Sequence, residues 1–237
     1  MSDRWDELCG LEFSESYPTP EASERLVDEM LFQRACQVVL WSIPAISVYA
    51  MKKGSDEVFG DGGNVLVVFK DRLTAKTVIS TPNSDVIYAL GYIDLAADGP
   101  TVVEVPREQQ GILDDFWQRP ITDVGFVGPD GGEGGAYLLL PPDYDGDVPD
   151  GYHTFTSRTF QVFVFWRGFI NDGDTAAAVE LIEQTRIYPL SSAANPPAMN
   201  FPNGSGVAAQ MVYPRDFRYF DYLAEFVNRE HVGEEDW

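Results

Sequence analysis

The sequence predicts an α+β fold, mainly β, in which an N-terminal helical subdomain precedes an antiparallel β-sandwich. Apolar residues recur at helical spacing before residue 60, and after it they alternate with a period of two in short runs. Turns rich in glycine and proline separate these runs at the spacing typical of a sandwich or barrel. We therefore expect a lead-in and helical subdomain over 1–60, a β-sandwich over 61–188, and a Pro-rich linker with an amphipathic helix over 189–237.

The first long helix has a clear start. Thr19 is suited to the N-cap, and Pro20 suits the first helical position. Pro44 is expected to kink or divide the helix, and Gly54 is expected to end it. From Val38 onward the helix is apolar on nearly every face, which predicts burial between other elements.

The same helix bears on location. The 17 residues of 35–51 carry no charge, but a membrane span needs about 20 apolar residues. The N-terminus is acidic and has no apolar stretch of the kind a signal peptide contains. The sequence therefore predicts a soluble, cytoplasmic protein without a membrane partner. Its two cysteines, Cys9 and Cys36, are expected to be buried or free thiols rather than a disulfide.

The strands and later helices follow from alternation and turn signals. Predicted strands lie near Val65–Phe69, Thr77–Ser80, Tyr88–Leu95, Thr101–Val105, Ile121–Val127, Ala136–Leu140, Tyr152–Ser157 and Thr159–Trp166. The strand from Tyr88 is apolar on both alternating faces, so we expect both to be covered. Helices are predicted over Asp174–Gln184 and Asp216–Arg229, with an extended linker over Pro189–Gly206 between them.

The charge of the chain is its most unusual global property. There are 38 acidic and 16 basic residues, giving a formal net charge of -22. Such self-repulsion destabilises a compact state at low ionic strength, and concentrated salt screens it. A salt-rich cytoplasm therefore explains the composition best, the alternative being an ordinary acidic protein. A surface of this sign excludes nucleic acid as a partner.

Several motifs in the middle of the chain resemble the domain of unknown function 1254 family. They are Thr81-Pro82-Asn83-Ser84-Asp85 with Tyr88, Gly134–Pro142, and Ser157-Arg158-Thr159 with Arg167. The resemblance covers roughly residues 20–190 and implies a small helical subdomain followed by a β-sandwich. Members are commonly followed by a second β-rich domain, the domain of unknown function 1214, which this chain is expected largely to lack. The family supplies no agreed catalytic residues.

The Thr81–Asp85 segment is the strongest candidate site. Pro82 favours an extended conformation at Thr81. Asp85 is suited to act as a general base or acidic ligand, with Tyr88 donating a hydrogen bond nearby. The alternative is that Asn83 forms an Asx turn that starts a strand.

Two arginines flank an apolar strand. Arg158 and Arg167 are each expected either to pair with Asp85 or Asp94, or to bind a carboxylate or phosphate of a substrate.

Other patterns give weaker candidates. Asp143, Asp145 and Asp147 alternate in an oxygen-rich loop that suits Ca²⁺, although the spacing of an EF-hand is missing. His153 is expected to be a hydrogen-bonded strand residue rather than a catalytic base. The Gly125–Gly135 stretch predicts a long hairpin loop, and no cofactor is predicted.

Two functions remain open, and the sequence does not decide whether the protein is an enzyme. The first is binding of, or action on, a small molecule between helices and sandwich. Its predicted lining is Asn83, Asp85, Tyr88, Tyr92, Trp117, Arg158, Trp166 and Arg167. The second is a non-catalytic structural or assembly module that docks a second domain or another copy.

The last predicted helix bears on the second function. It carries an apolar stripe consisting of Phe217, Phe220, Leu223, Phe226 and Val227. We expect this stripe to mediate a homo-oligomer or to dock a separate second-domain polypeptide.

Overall fold

The computed structural model of the protein describes residues 3–170 and 172–236. The chain forms two compact units, one comprising residues up to Ile43 and the other beginning at Pro44. The division falls inside the long helix rather than near residue 60, where we expected it. Residues after 189 belong to the second unit, so they do not form a separate arm.

The elements follow one another in a regular order. The helices are α1 (Asp3–Cys9), α2 (Pro20–Phe59), α3 (Leu95–Asp98), α4 (Thr175–Ile182) and α5 (Arg218–Arg229). The strands before residue 110 are β1 (Phe13–Ser14), β2 (Tyr17–Pro18), β3 (Leu66–Val68), β4 (Thr77–Val78), β5 (Val86–Asp94) and β6 (Thr101–Val105). The later strands are β7 (Gln110–Asp115), β8 (Pro120–Val124), β9 (Gly135–Leu140), β10 (His153–Thr156), β11 (Gln161–Phe169), β12 (Arg186–Pro189) and β13 (Ala209–Gln210).

Two larger sheets make up the β-sandwich of the second unit. One has the strand order β3-β5-β11-β7-β8 and the other β10-β9-β6-β12. The pairs are antiparallel except β9 with β10 and the small pair β4 with β13, which are parallel. Because β8 and β9 lie in different sheets, the Gly125–Gly135 loop connects the two sheets and is not the hairpin that we predicted.

One core lies between these sheets. Its members are apolar and come from both sheets and from α4; they include Leu66, Ile87, Leu113, Trp166, Val103, Tyr137, Leu139, Ile187, Val179 and Ile182. The second face of β5 is also buried, as the doubly apolar sequence of this strand predicted. This second face is the one that carries the candidate site.

Helix α2 was expected to be kinked or divided at Pro44 and to end at Gly54. Pro44 lies inside an uninterrupted helix. The helix does not end at Gly54 but continues to Phe59. Gly60 follows the last residue of the helix, has φ of +87°, and donates its N–H to the carbonyl of Asp56. Gly54 instead permits a close approach, because a Cβ there would lie 2.0 Å from the carbonyl oxygen of Gln210.

Burial along α2 begins later than we expected. Leu40 is 72% exposed, and continuous burial starts only near Ala45. By length and composition alone, this helix is long and apolar enough to cross a membrane, a test that core helices and signal sequences also pass.

Within the first unit, Arg4 organises the contact between α1 and α2. Its guanidinium donates to both carboxylate oxygens of Glu29 at 2.8 to 2.9 Å and lies 3.7 Å from the ring centroid of Phe32. Cys9 and Cys36 are free thiols, one of the two expected states, and both are exposed.

The segment after residue 190 adds to the edges of the sandwich. Asn200 and Asn203 bridge in parallel to Val65 and Val68 at the edge strand β3, and β13 pairs with β4. The expected linker is therefore in part a sheet-forming segment.

Helix α5 packs on its own chain through part of the predicted stripe, namely Leu223 and Phe226, together with Tyr219, which the stripe did not include. Tyr219, Leu223 and Phe226 are buried, whereas Phe217 is 86% exposed. Phe226 packs edge-on against Trp117 at 5.3 Å. The helix thus has an intramolecular neighbour, and the stripe that we read as unpartnered does not require a second chain.

Candidate functional site

Aromatic rings line the outer face of the five-stranded sheet. Strands β5 and β11 pair so that Tyr92 lies opposite Phe163, and Tyr88 lies opposite Arg167. The ring centroids of Tyr92 and Phe163 are 5.5 Å apart, those of Phe163 and Phe165 5.6 Å, and those of Phe165 and Tyr88 5.4 Å. All three pairs are stacked, so the face presents a continuous row of π surfaces.

A cavity of about 370 Å³ lies over part of this row, entirely within the second unit. Tyr88, Phe163 and Phe165 contribute to its lining. The turn of α2 at Ser47 and Met51 and the loop between β3 and β5, including Leu73, Ser80, Thr81 and Pro82, supply other lining residues. The cavity is therefore mainly apolar, with two charged residues at its lining.

The first charged residue is Asp114 of β7. A β-bulge between Leu113 and Asp114 interrupts the pairing of β7 with β8, and Asp114 pairs on the other side with Phe163 of β11. Oδ1 of Asp114 is buried and has no hydrogen-bond partner among the described residues. Burial, with smaller contributions from the charges of Asp115 and Asp123, raises the pKa of Asp114 to about 6.

Its neighbour Asp115 has a structural role. Oδ1 of Asp115 accepts hydrogen bonds from the backbone N–H groups of Trp117 at 2.8 Å and Arg119 at 2.9 Å, fixing the turn after β7. The backbone N–H groups of this turn therefore bind the carboxylate of Asp115 and not that of Asp114, which remains available to the cavity.

The second charged residue is Arg167 of β11. Its guanidinium carbon lies 5.2 Å from the ring centroid of Phe165 and 6.0 Å from that of Tyr88, within the range of cation–π interaction. Arg167 forms no ion pair in the part of the chain that the structure describes. The expectation that Asp85 or Asp94 neutralises it is wrong.

The predicted Thr81–Asp85 site has the geometry of its structural alternative. The N–H of Asp85 donates to Oδ1 of Asn83 at 3.0 Å, which is an Asx turn, and Asp85 is exposed. Thr81 has φ of +48°, so it is left-handed rather than extended, and only Thr81 and Pro82 of this segment line the cavity. Asn83 contributes by donating its N–H to Oη of Tyr88 at 3.4 Å.

Other predicted lining residues lie elsewhere. Arg158 is exposed and outside the cavity, and Asp94 pairs with Arg229. Trp166 points into the core between the sheets, where its indole N–H donates to Oγ1 of Thr185 at 3.1 Å. Trp117 packs under α5. These aromatic residues therefore support the fold rather than the cavity.

Tyr92 lies on the same sheet face but belongs to a separate, smaller space. Its hydroxyl oxygen is buried without a hydrogen-bond partner among the described residues. It faces a cavity of about 10 Å³ that Asp56 and Lys52 also line, which is enough for roughly one water molecule.

The predicted metal loop is not assembled. Asp143, Asp145 and Asp147 are exposed, and the described residues contain no group of three or more acidic, histidine or cysteine side chains placed to hold a metal ion. His153 packs beside Tyr137 with ring centroids 5.1 Å apart.

Sequence reasoning missed three carboxylates that the structure makes important. Asp114 was missed because strand β7 was not predicted. The one signal for this strand is an alternation in which Ile112 and Asp114 lie on one face and Leu113 and Asp115 on the other. Asp130 accepts hydrogen bonds from Gly125 N–H at 2.7 Å, Gly134 N–H at 3.1 Å and Tyr137 Oη at 2.5 Å.

The third missed carboxylate is Glu230, at the C-terminal end of α5. It accepts hydrogen bonds from the backbone N–H groups of Phe160 at 2.7 Å and Gln161 at 3.1 Å, where β11 begins. Burial raises the pKa of Glu230 to about 7 even though these backbone donors lower it. Its role is to fasten α5 to the five-stranded sheet.

Comparison with known proteins supports the fold and the central motifs. Residues 63–189 match the family described as Protein of unknown function (DUF1254). The crystal structure of the VPA0106 protein from Vibrio parahaemolyticus is similar, with a TM-score of 0.50 and 20% sequence identity. The similarity covers 79% of this chain and 45% of that one, so this chain spans less than half the length of that protein. A search of curated proteins found no match.

Proposed function

The chain belongs to the DUF1254 family of proteins of unknown function, and from the geometry of its cavity we propose that it binds a small organic molecule there. The observation that carries the proposal is a buried carboxylate oxygen of Asp114 that has no hydrogen-bond partner among the described residues and lies in a cavity partly lined by aromatic rings. Buried polar atoms are normally satisfied, and an exception points to an absent hydrogen-bond donor. A ligand with a flat apolar body and one donor group satisfies both parts of the site.

The size and lining of the cavity support the same conclusion. Its volume of about 370 Å³ falls in the range of roughly 300 to 1,000 Å³ that is usual for ligand pockets. The rings of Tyr88, Phe163 and Phe165, stacked on one another, provide an aromatic wall against which an apolar or aromatic group can pack. Asp114 is also the one cavity residue whose raised pKa, about 6, suits proton transfer near neutral pH.

The experiment uses 4-methylbenzyl alcohol, a neutral aromatic molecule with one hydrogen-bond donor, and follows its binding by ligand-observed NMR. The Phe165→Ala variant removes the central ring and is expected to lose binding. Phe169→Ala is the matched control, because Phe169 lies on the same strand but outside this cavity. Absence of binding to the wild-type protein, or an equal loss in both variants, contradicts the proposal.

An assembly role is the second candidate, and one observation favours it. The first half of α2 exposes large apolar side chains, namely Leu26, Val27, Met30, Leu31 and Phe32. A second copy of the chain that covers this face would remove its apolar surface from water. Light scattering of the wild type and of Leu31→Glu at equal concentration tests this role; monomers in both cases exclude it.

The acidic composition supports a proposed working environment. We infer a cytoplasm of high salt, in which the net charge of -22 is screened.

A further inference from the structure

We propose that the ligand of this cavity is a zwitterion, with a cationic group that contacts Asp114 and an anionic group that contacts Arg167 at the other end of a flat apolar body. This inference rests on the proposed binding function and goes beyond it by naming the chemical class of the ligand. It follows from two charges of opposite sign that line one cavity and have no counter-charge in the described protein.

The lack of a partner is unusual for the buried oxygen of Asp114, whereas Arg167 is exposed at the edge of the cavity. The chain has 38 acidic residues, yet Arg167 forms no ion pair with any described residue and instead lies over the rings of Phe165 and Tyr88. Asp114 has acidic neighbours, Asp115 and Asp123, and one of its oxygens is buried without a donor. A neutral ligand in the cavity would cover Asp114 without supplying a counter-charge, which is costly for an unpaired ion, and would leave the guanidinium of Arg167 unused.

Asp114 and Arg167 do not neutralise each other across the cavity. A guanidinium close to a carboxylate lowers the carboxylate pKa, but the pKa of Asp114 is raised. Strand pairing explains the separation, since Asp114 lies opposite Phe163 and Arg167 lies four residues further along β11. Four residues of strand span roughly 13 Å.

Phe165 occupies the middle of this span on the same sheet face. The guanidinium carbon of Arg167 is 5.2 Å from the Phe165 centroid, so its charge lies nearer the centre of the cavity than the backbone spacing alone suggests. The distance between the charges therefore suits one aromatic ring with a charged group at each end, plus a hydrogen bond of about 2.8 Å to each residue. A ligand with both charges on a single carbon is too short to reach both residues.

Four probes that differ only in charge test this inference. They are 4-(aminomethyl)benzoate as the zwitterion, 4-methylbenzylamine as the cation, 4-methylbenzoate as the anion and 4-methylbenzyl alcohol as the neutral reference. Dissociation constants are measured by calorimetry on the full chain at about pH 7.5, where Asp114 is mostly ionised, in one KCl buffer. We expect the zwitterion to bind about tenfold or more tightly than either singly charged probe.

Variants then assign each end of the ligand. Asp114→Asn is expected to weaken the zwitterion and the amine about tenfold and to leave the benzoate unchanged or improved. Arg167→Gln is expected to weaken the zwitterion and the benzoate about tenfold and to spare the amine. Asp145→Asn and Arg158→Gln are matched controls, because both residues are exposed and lie outside the cavity.

The outcomes distinguish a failure of the zwitterion inference from a failure of the proposed binding function. If the four probes bind equally well, the cavity binds small aromatic molecules and the zwitterion inference is overturned. If the controls weaken binding as much as the cavity variants, general electrostatics explains the preference and the inference is again overturned. If no probe binds, both the inference and the proposed function are contradicted.

Discussion

Replacing Glu230 by glutamine is expected to stabilise the protein in a pH-dependent manner. Glu230 fastens α5 to β11 through the N–H groups of Phe160 and Gln161 and is only 7% exposed. Burial raises its pKa from an ordinary value of 4.5 to about 7. Glutamine keeps an oxygen acceptor for these N–H groups but carries no charge that burial penalises.

The sign and size follow from proton linkage. Between pH 4.5 and about 7 the folded protein holds a proton on Glu230 that the unfolded chain releases. The stabilisation is therefore complete below pH 4.5 and is lost as the pH rises through about 7. The full difference corresponds to about 3 kcal/mol, of which about 2 kcal/mol falls between about pH 5.5 and about pH 8.

Urea unfolding followed by tryptophan fluorescence at constant KCl measures this difference. The advantage of Glu230→Gln over the wild type should grow by about 2 kcal/mol from about pH 5.5 to about pH 8. Glu57→Gln is the control, since Glu57 is exposed, and its difference from the wild type should not change with pH. A constant difference for Glu230→Gln, or one that shrinks as the pH rises, would refute the assignment of a raised pKa.

Three further predictions concern charge and local structure. The melting temperature of the protein should rise between about 0.1 M and about 3 M KCl, because salt screens a net charge of -22. A melting temperature that stays constant or falls with KCl concentration contradicts the proposed high-salt environment. Asp130→Ala should lower the unfolding free energy by about 3 kcal/mol, because the buried Oη of Tyr137 and the N–H of Gly125 lose their acceptor. Urea titrations measure this loss. A loss no larger than that of the Asp123→Ala variant contradicts the prediction. Asp85→Asn should change stability by less than about 0.5 kcal/mol, since Asp85 is exposed and pairs with no arginine, and a loss near 3 kcal/mol would restore the ion-pair reading.

Local signals predicted the elements that depend on local chemistry. Strand β6 has the predicted bounds Thr101–Val105, because its apolar run is ended by Pro106. Asp174 caps α4 as its position before an alanine run suggests, accepting from the N–H of Ala176 at 2.9 Å. These features depend on residues that are close together in the sequence, so they can be predicted from the sequence alone.

Elements that depend on distant partners were not predictable in this way. Strands β7 and β12 lack strong alternation and are strands because β11 and β6 pair with them. The buried face of α5 was only partly predicted: Leu223 and Phe226 are buried as expected, but Phe217 is exposed, because the neighbours of the helix, among them Trp117, lie far away in sequence.

The candidate site shows the same limit. The cavity contains two of the predicted residues, Tyr88 and Arg167, whose role in binding stays a prediction. Asp114 was not predicted, because its position without a donor depends on a bulge in β7 and on the two strands that pair with β7.

The docking of α5 has a consequence for the order of folding. Tyr49 of α2 donates its hydroxyl to Glu225 at 2.7 Å across a separation of 176 residues, and Glu230 holds the start of β11. During synthesis, these contacts of the second half of α2 and of the outer sheet face therefore form only after nearly the whole second unit has been synthesised. Such late, long-range closure predicts slow folding and a nascent chain whose apolar helix and strand edges are open to chaperones.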